Sequence, residues 1–170
     1  DIETIFTFEE HLYIGSRLGM YIYDISDPAF PLRLSEVQHL RSCDPVVSNG
    51  DFTYVTLHTN ERCFGTINQL EVYNTVDKLR PELLTTIQLE RPIGLALNDD
   101  VLYVTDKGVV RIFDVSNPNQ PDLIGGIPKD AFDLILLNDR IYLIGENELT
   151  QYAINLQDPT DVTVLSTINF

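Results

Sequence analysis

The sequence predicts an all-β protein: four blades of a β-propeller, each of four antiparallel strands, together forming part of a larger ring. Three observations lead there. A short strand centred on a tyrosine recurs about every forty residues, turn-forming residues flank each recurrence, and no segment carries the apolar periodicity of a helix.

The recurring strand reads His11-Leu12-Tyr13-Ile14-Gly15, Phe52-Thr53-Tyr54-Val55-Thr56, Val101-Leu102-Tyr103-Val104-Thr105 and Arg140-Ile141-Tyr142-Leu143-Ile144. Its tyrosines stand 41, 49 and 39 residues apart, and ten residues after three of them comes a second aromatic: Tyr23, Phe113 and Tyr152. In the second copy the counterpart is Tyr73, so that copy carries nine extra residues. Before each tyrosine strand lies a first strand, through Thr4–Phe8, Val46–Ser48, Gly94–Leu97 and Leu134–Leu137. Three of these end in Asn49-Gly50, Asn98-Asp99 and Asn138-Asp139, residue types that tolerate the positive φ of a tight hairpin.

The third strand follows as Met20–Asp24, Leu70–Asn74, Val110–Asp114 and Leu149–Ala153. A turn such as Ser26-Asp27-Pro28 or Ser116-Asn117-Pro118 closes it, because proline cannot continue a ladder. The fourth strand holds the aliphatic pairs Leu34 and Val37, Leu84 and Ile87, Ile124 and Ile127, Leu165 and Ile168.

Repeats of approximately 1–40, 41–90, 91–130 and 131–170 thus form one propeller domain. A sandwich lacks a forty-residue repeat, and the coils of a solenoid are shorter. The chain begins on a first strand and ends on a fourth, leaving no strand to fasten a ring. Blades N-terminal to Asp1, or a second copy, are expected to cover the apolar flanks.

Composition narrows function by exclusion. A net charge of −15 repels phosphate backbones, and the arginines are scattered, so nucleic acid is not an expected partner. Apolar runs such as Leu134–Leu137 are too short to span a bilayer, and the start of the chain carries no signal-peptide pattern.

The third strand and its turn resemble the LVIVD repeat of bacterial and archaeal propellers, most closely in Val110–Pro118 and nearly as well in Met20–Pro28. The resemblance fades in the second copy, at Asn74 and Thr75, and in the fourth, at Gln151 and Ala153. Ile2–Phe6, Gly19–Ser26 and Cys43–Val47 are similar to the C-terminal half of larger LVIVD-repeat surface lipoproteins. The resemblance implies an extracytoplasmic location, at the cell surface or in the periplasm, a lipid anchor on a missing N-terminus, and no established enzymatic activity.

Candidate site residues lie where a propeller would gather them on one face. Cys43, before a first strand, and Cys63, in the insertion between second and third strands, are placed to form a disulfide worth about 3 kcal/mol. Two independent thiols in a reducing cytoplasm are the alternative. The insertion also carries His58, Arg62 and Phe64, of which the last two are types that anchor interfaces. Glu3, Asp44 and Asp133 mark first-strand starts, where Ile93 stands in the third repeat. They are read either as a ring at a channel mouth or as acceptors for backbone N–H groups. Asp24 and Asp114 recur before the third turn, which argues for a turn cap rather than catalysis.

No nucleophile elbow, phosphate loop, dinucleotide fingerprint or metal-ligand spacing occurs, so no cofactor is expected. The reading is a non-enzymatic binding or scaffolding module with a protein or glycan ligand, bound through His58, Arg62, Phe64, Glu3, Asp44 and Asp133. The alternative is a propeller hydrolase or lyase with an axial site built from scattered loops. A third possibility is a structural half-propeller that stabilises an anchored partner domain.

Overall fold

Strand-forming residues alternate with turn residues along the whole chain, and a computed structural model, which describes residues 2–39, 45–59 and 67–170, folds them accordingly. Four sheets form, each a four-stranded antiparallel meander in sequence order. The first blade is β1 (Ile2–Phe8), β2 (His11–Ser16), β3 (Gly19–Asp24) and β4 (Leu32–Gln38); the second is β5 (Val46–Ser48), β6 (Phe52–Leu57), β7 (Gln69–Asn74) and β8 (Glu82–Gln88). The third is β9 (Leu95–Asn98), β10 (Val101–Asp106), β11 (Val109–Asp114) and β12 (Asp122–Ile127); the fourth is β13 (Asp133–Leu137), β14 (Arg140–Ile144), β15 (Glu148–Asn155) and β16 (Asp158–Asn169). This is the blade architecture of a β-propeller. The chain divides into two compact units of two blades each, Asp1–Arg91 and Pro92–Phe170.

All four repeat tyrosines lie on second strands, and Tyr13, Tyr54 and Tyr103 are fully buried. Tyr13 is centred on its blade by cross-strand partners Phe6 and Ile22. Together with Met20 and Ile22 it packs onto Val46, Val55, Leu57 and Tyr73 of the second blade. In the other unit, Tyr103, Val110 and Ile112 pack on Leu134, Ile141, Leu143, Tyr152 and Ile154. Each core is thus a sandwich of two blade faces, and burial of such side chains contributes about 1.5–3 kcal/mol apiece.

The outer ladder breaks register at the same place in every blade, between Ile22 and Tyr23, Val72 and Tyr73, Ile112 and Phe113, and Gln151 and Tyr152, and a second time in the fourth, between Ile154 and Asn155. Leu34, Leu84, Ile124 and Leu165 are the residues skipped. A bulge of this kind shifts facing by one residue. It explains why the aliphatic pairs stand three apart: both Leu34 and Val37 reach the first core.

The fourth outer strand differs from expectation. It begins at Asp158, well before Leu165, because Asn155 Oδ1 accepts the Gln157 N–H at 3.1 Å and reverses the chain at once.

The first and last blades each keep one apolar face open. Ile5 on β1 is 69% exposed, and Ile135 and Ile168 on the fourth blade are 63% and 59% exposed. Tyr142 is correspondingly less buried than its three counterparts, and it faces Gln151 where the others face Ile22, Val72 and Ile112.

Candidate functional site: turns and strand starts of the two units

The two described strand-start carboxylates hold neighbouring groups of the scaffold. Glu3 Oε1 accepts the Arg17 Nε–H at 3.0 Å, tying β1 to the β2–β3 turn. Asp133 Oδ1 accepts the Leu134 N–H at 2.8 Å and lies against Gly94, where any β-carbon would come within 2.6 Å of it. Asp106, which the sequence did not single out, is almost fully buried and holds Arg111 Nε at 2.7 Å. Cys43, Asp44, Arg62 and Phe64 lie outside the described residues, and the expected disulfide with them. His58, directly after β6, is buried, although its place at the start of the insertion predicts an exposed loop histidine.

The third turn repeats one device in all four blades. Asp24, Asn74, Asp114 and Asn155 accept the N–H two residues on, at 2.8, 3.0, 2.9 and 3.1 Å. Three residues later Asp27, Asp77, Asn117 and Asp158 do the same. The Ser26 hydroxyl and then its N–H hold Asp24 below the usual carboxylate range, and Ser116 and Thr160 do so for Asp114 and Asp158. The repeated aspartates are turn caps, as the sequence indicated.

The first hairpins differ between units in a way that matters. Each places its first turn residue at positive φ: Glu9, Gly50, Asp99 and Asn138. In the Asp1–Arg91 unit the Phe8 ring lies against Gly50, its Cε1 3.0 Å from where a β-carbon would sit. Nearby, Ser48, Thr53 and Thr75 form a buried hydroxyl relay with 2.9 Å links, ending on the Gly50 carbonyl at 2.8 Å. In the Pro92–Phe170 unit the register places Asn98 where Phe8 stands, Asn138 where Gly50 stands, and Leu136 and Ile154 in place of Ser48 and Thr75. A cleft of about 670 Å³ opens there, with Asn98, Asp99, Asp100, Asn138 and Asp139 on its rim and Tyr103, Val101, Ile154, Leu156 and Pro159 in its wall.

Against known proteins, the family described as LVIVD repeat matches residues 4–38 and 94–127. The chain carries two LVIVD repeats. The two matched segments are the first and third blades, where the third strand ends in Asp24 and Asp114. The second and fourth blades, where asparagine or alanine replaces that aspartate, fall outside the match.

No curated protein matches the chain in sequence. Among solved structures, the periplasmic gluconolactonase PpgL of Pseudomonas aeruginosa superposes with a TM-score of 0.75 at 14% identity, over 99% of this chain and 54% of that one. Hsv2 of Kluyveromyces lactis gives 0.64 at 13% identity, over 96% and 49%. A functionally unknown protein of Desulfotomaculum acetoxidans gives 0.60 at 8% identity, over 100% and 70%. At these identities the likeness is one of fold. The chain spans about half the length of the first of these structures. No helix among the described residues is long and apolar enough to cross a membrane.

Proposed function

We propose that this LVIVD-repeat chain is a non-enzymatic binding or scaffolding module of a bacterial cell-surface or periplasmic protein. The observation that carries the reading is how its described candidate carboxylates are used. Glu3 holds an arginine, Asp133 a backbone N–H, and Asp24 and Asp114 their turns. Each of these contacts holds the scaffold, whereas acid–base chemistry requires a group poised to move a proton.

The open apolar faces at Ile5 and Ile135 support assembly into a larger ring, with further blades or a second copy as cover. An extracytoplasmic setting is supported by the similarity to surface lipoproteins and by a fold neighbour that is itself periplasmic. The insertion residues Arg62 and Phe64 belong to the surface that takes a protein or glycan ligand, since binding groups concentrate on loops held by rigid scaffolds.

The gluconolactonase neighbour defines the competing activity. Proton release from gluconolactone should proceed in the presence of the chain at the uncatalysed rate; a saturable acceleration would replace the binding reading by the hydrolase one. Arg62→Ala with Phe64→Ala should abolish partner capture from a native extract at an unchanged melting temperature. Retained capture would remove the insertion from the site.

A further inference from the structure

The cleft in the Pro92–Phe170 unit is a departure from the pattern of its own fold. The equivalent position of the other unit is plugged by Phe8 against Gly50, and there the polar relay of Ser48, Thr53 and Thr75 lies next to Tyr13. Exchange of Phe8 for Asn98 removes the plug, and exchange of Ser48 and Thr75 for Leu136 and Ile154 removes the relay. Tyr103 is left 1% exposed, and burial alone moves its hydroxyl, with no hydrogen bond to a described residue offsetting it. The counterparts of Ser48 and Thr75 beside Tyr13 are Leu136 and Ile154, and Ile154 and Tyr103 both line the cleft. Burial pushes this hydroxyl up to about 12, so it is neutral, able to accept one hydrogen bond and donate another.

The surroundings define what would complete it. Asp99 and Asp100 sit exposed on the rim and hold no side-chain partner among the described residues, while Asp139 stands a loose 3.8 Å from Arg140 Nε. The cleft is also lined by the aliphatic surfaces of Val101, Ile154, Leu156 and Pro159. A volume of this size suits a small ligand, and a rim with more negative than positive charge favours a cation over a neutral one.

We infer that this cleft binds a primary aliphatic amine, with the ammonium at Asp99 and Asp100, the Tyr103 hydroxyl accepting one of its N–H groups, and the alkyl chain against Ile154 and Leu156. The chemistry is shared by a free alkylamine and by a lysine side chain, and the site is independent of the insertion loop.

Calorimetric titration of the whole chain with 1,5-diaminopentane tests it, beside the isosteric but uncharged pentane-1,5-diol, glucose, and Nα-acetyl-lysine methylamide. The amines should bind one to one and the diol and glucose should not. Tighter binding of the lysine derivative assigns the cleft to a peptide side chain, and tighter binding of the diamine to a free amine. Asp99→Asn with Asp100→Asn, exposed changes that leave the turn backbone intact, should weaken binding at least about tenfold. Tyr103→Phe should weaken it without lowering the melting temperature. Asn98→Phe with Asn138→Gly, which transplants the plug of the other unit, should abolish it. Diol binding as strong as diamine binding, glucose occupancy, or amine binding indifferent to both the aspartate and the plug variants would overturn the proposal. The last result would place the amine diffusely on the acidic surface.

Discussion

Two isoleucines on neighbouring strands of the fourth blade offer a sharp test of how the blade is used. Ile141 on β14 faces the third blade and is fully buried, while Ile135 on β13 points to the opposite face and is 63% exposed. Residue type and blade are matched, so truncation to alanine tests the covering layer. For Ile141→Ala the loss combines transfer of three carbons from the core with the cavity left behind, about 2–5 kcal/mol. For Ile135→Ala most of that surface is already in water, and what remains is strand preference and partial contact with Tyr142, about 0.5 kcal/mol. A gap of at least about 2 kcal/mol should appear in urea unfolding followed by circular dichroism, with both substitutions read in the same unit. Equal costs at a concentration where the chain is monomeric would refute the argument that this face lacks a covering blade.

Other consequences follow from single turns. Glu9 holds φ at 51°, a conformation that penalises any side chain with a β-carbon, and Glu9→Gly should stabilise the chain by about 0.5–1 kcal/mol in thermal unfolding. Asp24, Asp114 and Asp158 have folded pKa values below the ordinary carboxylate range, so their contribution is complete above that range and is lost as pH falls through the depressed values. Melting temperatures measured from pH 6 to pH 2 should therefore fall at the acid end, and less steeply in Asp114→Asn, which keeps the acceptor but cannot titrate. An identical acid slope would remove Asp114 from that role.

What was legible in the sequence was whatever repeats. The tyrosine strands, the turn aspartates and the order of four strands per blade all depend on local pattern, and each copy reinforces the others. The outer-strand bulge was half visible: aliphatic residues three apart, as at Leu34 and Val37, are wrong for a straight strand, and the skipped residue reconciles them. Glu9 was not legible, because nothing marks a glutamate as the residue that will take positive φ.

The cleft was hidden for a different reason. Phe8 and Asn98 are unremarkable in sequence, and their exchange acquires meaning only when two blades stack and one turn either receives a ring or does not. The burial of His58 was not legible because its place at the start of the insertion suggested an exposed loop, whereas the residue directly follows β6 and is buried with it. Strand-start carboxylates could be located but not assigned, since whether Glu3 faces solvent or Arg17 depends on side chains brought together by the fold.

The central claim is that these are propeller blades whose outward apolar faces require cover. Sedimentation velocity of the 170-residue chain over a hundredfold concentration range tests this most directly. The account predicts reversible self-association that is suppressed by Ile135→Asp or Ile5→Asp, exposed positions where a charge leaves each two-blade core intact. A chain that sediments as a monomer throughout, with both variants indistinguishable from it, would contradict the claim.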